Sequence, residues 1–140
     1  MFKKLTPNMM VKDVRETIAF YQEVLGFEFV MAVPKDGQEV SMEMPQEKPL
    51  AYAMLKSGNV EIMFQAKESL SEDIPSFQGV EIGASVSFYF EIDDIDAFYE
   101  DMREKVEVVK TIRTTWYGMR EFYIRDCNGY VLGFSQQTPS

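Results

Sequence analysis

Histidine is missing from this 140-residue chain. Its absence removes the base of every Ser-His-Asp or Cys-His nucleophile pair and the commonest nitrogen donor for zinc, copper and iron. Cysteine is reduced to Cys127, which excludes an intrachain disulfide and fits a reducing cytoplasm, the expected location. No apolar run approaches the roughly 20 residues of a bilayer-spanning helix. The opening MFKKLTPNMMV has a basic pair but no apolar h-region, so no secretory leader is expected. Positive charge is scarce, with 14 Lys and Arg against 23 Asp and Glu and a net charge of −9. That balance argues against nucleic acid or an anionic membrane as partner, because both need Lys and Arg to replace counterions. Gly-rich phosphate loops of the Walker or dinucleotide type are lacking too.

What remains is an ordinary globular composition, 46% apolar and 26% charged, with a length suited to one domain spanning 1–140. Its organising feature is a repeat. The opening of residues 8–27, NMMVKDVRETIAFYQEVLGF, returns near residue 89 as YFEIDDIDAFYEDM. Asp13 and Asp94 lie 81 positions apart (94 − 13), and Val11/Ile92 and Val14/Ile95 keep that offset. Each copy reads as a short apolar strand, an Asp cap and an amphipathic helix. Asp13 with Glu16 forms a capping-box pattern, Val14, Ile18, Tyr21 and Leu25 fall at helical spacing, and Gly26 ends the helix. Strands are expected at 5–11, 27–33, 51–55 and 59–65, with an exposed excursion over 34–50 that carries a short strand near 39–44. The second half repeats the order with strands at 84–92, 107–111, 119–125 and 130–136, a helix face of Ile95, Phe98, Tyr99 and Met102, and a tight turn at Asp126-Cys127-Asn128-Gly129. The expected organisation is α+β: two βαβββ modules, 1–66 and 84–137, joined by a polar connector over 67–83.

Three segments resemble the vicinal-oxygen-chelate (VOC) superfamily of glyoxalases, extradiol dioxygenases, fosfomycin-resistance enzymes and bleomycin-resistance proteins. VKDVRETIAFYQEVLGF resembles its opening module, NVEIMF the strand ending the first module, and MREFYIRDCNGYVLGF the closing hairpin. The resemblance implies a curled mixed sheet with a U-shaped groove, often completed across a homodimer, which is the expected assembly here. It also implies a metal position on four strands, usually built from His and Glu. Carried over by the flanking motifs, those positions fall on Thr6, Glu61, Ser87 and Gly133. Only Glu61 is a strong ligand, whereas a catalytic metal takes about three protein donors. The resemblance therefore implies a lost metal site and no cofactor. An all-oxygen Mg or Mn site rebuilt from Glu61 with Glu91 or Glu121 is the alternative.

Strand alternation assigns the groove lining. If Thr6 and Ser87 face it, so do Asn8, Met10, Tyr89 and Glu91, while Met9, Val11, Phe88 and Phe90 face the helices. Glu61 brings Met63 and Gln65 to the same face, and Glu121 and Tyr123 point there if Phe122 and Ile124 pack inward. Trp116 and Tyr117 lie on a TTWYGM loop suited to an aromatic lid. The candidate ligand set is Asn8, Glu61, Met63, Tyr89, Glu91, Trp116, Glu121 and Tyr123. Carboxylates beside aromatic rings suit a small cationic or aromatic compound, and methionines adapt to its shape. Glu61 and Tyr123 are also candidates for metal-free acid–base chemistry, so a VOC-type lyase or dioxygenase-like enzyme stands as the competing expectation. Two plainer readings stay open: Glu61 paired with Arg120 or Arg125, and Tyr89 and Glu91 at a dimer seam.

Overall fold

In the computed structural model, which describes residues 1–37 and 39–139, the chain forms two four-stranded mixed sheets and three α-helices, an α+β architecture. It divides into two compact units, the first ending at Ile82 and the second beginning at Gly83. No helix of the described residues is long and apolar enough to cross a membrane.

The first unit runs β1 (Asn8–Val11), α1 (Val14–Glu23), β2 (Glu28–Pro34), β3 (Leu50–Ser57), β4 (Val60–Ala66) and α2 (Lys67–Asp73). Its sheet order is β1-β4-β3-β2, with β1 parallel to β4 and the other pairs antiparallel. The Asp13 side chain accepts from the Glu16 N–H at 3.0 Å, so α1 starts where the capping pattern placed it. It stops in a left-handed glycine cap: Gly26 takes φ +77 and its N–H donates to Gln22 O, while the Phe27 N–H donates to Tyr21 O. Val14, Ile18 and Tyr21 bury one helix face against Val11, Leu55, Ile62 and Phe64, with the Tyr21 and Phe64 rings 4.8 Å apart.

The second unit repeats the order as β5 (Ser87–Glu91), α3 (Ile95–Met102), β6 (Glu107–Thr114), β7 (Met119–Arg125) and β8 (Val131–Gln137), in sheet order β5-β8-β7-β6. Ile95, Tyr99 and Met102 of α3 are buried with Phe122, Ile124, Leu132 and Phe134, and the Tyr99 and Phe122 rings meet edge-on at 4.9 Å. Each such aromatic contributes about 1.5–3 kcal/mol of burial. The turn between β7 and β8 is tied by Asp126, whose carboxylate accepts from the Asn128 and Tyr130 N–H groups at 2.8 and 2.9 Å.

Several details differ from the sequence expectations. The polar connector carries α2 and a single 3-10 turn, Pro75–Phe77; only Leu70 anchors α2 in apolar surroundings and no side chain caps it, so no periodic signal marked it. Residues 39–44 form a lone bridge, Ser41 to Ala32, rather than a strand. The first strand starts at Asn8, not Leu5, because Pro7 has no N–H to extend the ladder, although its carbonyl still accepts from the Met63 N–H at 2.9 Å. Asp94 occupies the N-cap position of α3 but does not cap it. Its φ of +51 turns it into the left-handed region, and Gln136 Oε1 accepts from the Ile95 N–H instead.

Candidate functional site

The side-chain alternation holds on β1, β4, β5 and β7, whereas β2 and β6 carry register shifts. In the second unit Phe88 and Phe90 of β5 lie on the side of Tyr130 and Phe134, and Phe134 reaches Phe98 of α3. The opposite face of the same sheet carries the polar and aromatic residues. Register places Tyr89 opposite Gly133 and Gly133 opposite Tyr123, while Glu91, Ser135, Glu121 and Arg113 form the neighbouring row across all four strands.

Gly133 decides what this face can hold. A Cβ there would stand 2.5 Å from Cε2 of Tyr123, so the Tyr123 ring lies where any larger residue would project. The gap lets rings from both flanking strands converge, and those of Tyr89 and Tyr123 sit 6.4 Å apart. It also lets Tyr89 reach across β8 to the strand beyond, where its hydroxyl donates to Glu121 Oε2 at 2.6 Å. Tyr117, on the β6–β7 turn, donates to Oε1 of the same carboxylate at 2.7 Å. Arg113 Nη2 donates to that Oε1 at 3.3 Å. Glu121 is therefore a hub, 1% exposed, with three donors answering a charge that would be costly to bury alone. The sequence placed Glu121 among ligand contacts; here both its oxygens are engaged by the protein's own side chains.

The groups anchored on that hub are far more open. Tyr89 and Tyr117 are each 51% exposed, and Trp116, the sole tryptophan, is 94% exposed and meets the Tyr117 ring edge-on at 5.1 Å. The Thr115 hydroxyl and the Met119 backbone bond each other across the turn, fixing its base. Three phenols here titrate above the ordinary tyrosine range. Burial raises Tyr89 first and the Glu121 hydrogen bond second; for Tyr117 the Glu121 bond leads and burial follows; for Tyr123 burial leads and the Glu121 charge adds to it. Among the described residues, the buried side-chain polar atom left without a hydrogen-bond partner is Arg113 Nη1.

In the first unit Asn8 donates to Gln65 Oε1, and Gln65 Nε2 donates onward to Ser69 and Asp73 of α2. Met31, Met54 and Met63 occupy consecutive cross-strand positions on that face, all half-buried. Glu61 is paired with Lys4, not with Arg120 or Arg125, which bind Asp96 and Glu107 instead. Tyr52 is raised by burial and by the Glu61 charge.

The metal positions implied by resemblance do not suit a transition metal. Thr6 lies outside β1, Ser87 is an exposed hydroxyl, Gly133 offers no donor and has the Tyr123 ring over it, and Glu61 already holds an ammonium group. No group of three or more His, Cys, Asp or Glu among the described residues is placed to hold an ion. Glu91 is exposed at the end of β5, and Glu121 is committed to its three donors.

Comparison with known proteins bears on the whole arrangement. A family model described as the Glyoxalase/Bleomycin resistance protein/Dioxygenase superfamily matches residues 5–134. A bleomycin resistance protein from Geobacillus stearothermophilus is 26% identical over 96% of both chains. Among solved structures, a protein of unknown function from Agrobacterium tumefaciens superposes with a TM-score of 0.74 at 20% identity, covering 98% of this chain and 95% of the other. TnmS3, an antibiotic binding protein from a Streptomyces species, gives 0.68 at 18% identity, covering 99% and 98%.

Proposed function

Since this chain belongs to the glyoxalase/bleomycin resistance protein/dioxygenase superfamily, we propose that it binds a small planar aromatic compound, cationic in character, without a metal. The carrying observation is the set of exposed rings, Tyr89, Tyr117 and Trp116, two of them held in fixed orientation by one buried carboxylate. Exposed aromatic groups with no need to stay ordered are normally mobile; hydroxyls tied to a buried anchor keep these rings in place for stacking. Cation–π contact adds about 0.5–2 kcal/mol per ring, and the net charge of −9 favours approach of a cation. The names of the relatives, a bleomycin resistance protein and an antibiotic binding protein, support sequestration of such a compound.

The competing reading, a VOC-type enzyme with an altered metal set, requires a base. The raised phenols of Tyr89, Tyr117 and Tyr123 are poor phenolate bases at neutral pH, and Glu61 is held by Lys4. A cytoplasmic homodimer is part of the proposal, since each four-stranded sheet has two edge strands that pairing would protect. Titration of chelator-treated protein with bleomycin and a panel of planar aromatic cations should quench Trp116 fluorescence saturably. Silence across the panel refutes the proposal; binding that appears only when a divalent metal is restored refutes its metal independence.

A further inference from the structure

We propose that Glu121 sets the hydrogen-bond polarity of the binding face, making Tyr89 and Tyr117 acceptors, so that the preferred ligand is a planar cation carrying N–H donors at its edge. The inference rests on the binding reading above and specifies its chemistry. A phenol has one proton and a pair of acceptor sites. Tyr89 spends its proton on Oε2 at 2.6 Å and Tyr117 on Oε1 at 2.7 Å. With the Ser135 hydroxyl beside the Tyr89 oxygen and the Thr115 hydroxyl beside that of Tyr117, what each exposed ring still offers a visitor is one remaining oxygen lone pair and a π face. Both are made richer in electron density by the carboxylate behind them, since chained hydrogen bonds polarise one another.

Glu121 is itself almost wholly buried, so it acts through the phenols as a positioning residue rather than by touching the ligand. Arg113 Nη2 donates to Oε1 of the same carboxylate at 3.3 Å, so every side-chain partner of Glu121 in this cluster is a donor. The raised titration of both phenols agrees with hydroxyls that stay protonated and pointed inward. A ligand with only acceptor groups at its edge would face oxygen against oxygen. One with amino groups would satisfy both.

The test compares proflavine, an acridinium cation with two exocyclic amino groups, with acridine orange, which keeps the ring and charge but has those nitrogens fully methylated. Calorimetry on the wild-type chain should show proflavine binding about tenfold more tightly, the effect of one or two net hydrogen bonds. Glu121→Gln keeps one acceptor oxygen and replaces the other by an amide donor, so one phenol proton is freed to point outward and the preference should narrow to about threefold or less. Tyr89→Phe and Tyr117→Phe each remove one acceptor without disturbing the buried carboxylate's charge, and each should narrow the ratio; they carry the test if Glu121→Gln does not fold. Wild-type protein that binds both dyes equally overturns this inference and leaves the binding reading standing. A folded Glu121→Gln protein that keeps the preference also overturns it. Failure of both dyes to bind overturns the inference together with the reading beneath it.

Discussion

Gly133→Ala is the sharpest perturbation available at this face. The added Cβ would stand 2.5 Å from Tyr123 Cε2 and 3.0 Å from its Cδ2 and Cζ, against about 3.5–4.0 Å for an ordinary carbon contact. Something must move by about 1 Å. The strand cannot retreat, because Leu132 and Phe134 on either side are buried in the core. The half-buried Tyr123 ring must swing outward instead, away from Tyr89. Overpacking of this kind costs about 1–2 kcal/mol where a neighbour can yield, which lowers Tm by roughly 3–8 °C in a chain of this size. The clash account also fixes a sign. In a Tyr123→Ala background the three atoms nearest the added Cβ are gone, and the same glycine substitution should be neutral or stabilise the strand by up to about 1 kcal/mol through lost backbone freedom in the unfolded state. Thermal denaturation of the wild type, both single variants and the double variant checks this. Destabilisation of equal size in both backgrounds would mean that the Tyr123 ring is not what excludes a side chain at position 133.

Three further outcomes follow from the two units. Asp13→Ala should lower stability by about 1 kcal/mol through loss of the bond to the Glu16 N–H, whereas Asp94→Gly should raise it by about 0.5–1 kcal/mol by relieving a left-handed backbone at a residue that caps nothing; denaturant melts of the two variants must shift in opposite directions. Lys4→Ala should change stability by less than about 0.5 kcal/mol, since the ammonium of the Lys4–Glu61 pair is largely in water; a larger loss measured by the same melts would show that Glu61 cannot tolerate being unpaired. Tyr89, Tyr117 and Tyr123 have phenol pKa values above 10.0 in the folded state, so their contribution to stability is complete below pH 10 and is lost as pH rises through the folded values. An ultraviolet titration should find phenolate forming late, and Glu121→Gln should shift part of it to lower pH.

Local pattern carried most of the architecture. The 81-residue repeat, the Asp13 cap, the Gly26 stop and the Asp126 turn each rest on short-range chemistry that a sequence displays directly. Period-two alternation was enough to place Tyr89, Glu121 and Tyr123 on one face of one sheet. What it could not show is who binds whom on that face. Arg113 meets Glu121 only after β6 has slipped register twice against β7, between Val108 and Lys110 and between Lys110 and Arg113. Tyr117 reaches the same carboxylate from a turn, where alternation has no meaning. The pairing of Glu61 with Lys4 spans the whole first module and has no periodic signature. A glycine in a strand interior usually marks a close approach, and Gly133, between two strands that each carry a tyrosine, is the sequence signal for the ring that covers it.

In the proposed binding mode a buried carboxylate holds exposed rings ready for a planar cation, with no metal taking part. Calorimetric titration of metal-stripped protein with proflavine, repeated on a Trp116→Ala/Tyr117→Ala variant that still melts cooperatively, tests it most directly. The stripped wild type should bind saturably, and the variant should lose at least about tenfold in affinity. Equal affinity in both proteins, or no saturable binding by the wild type, would contradict it.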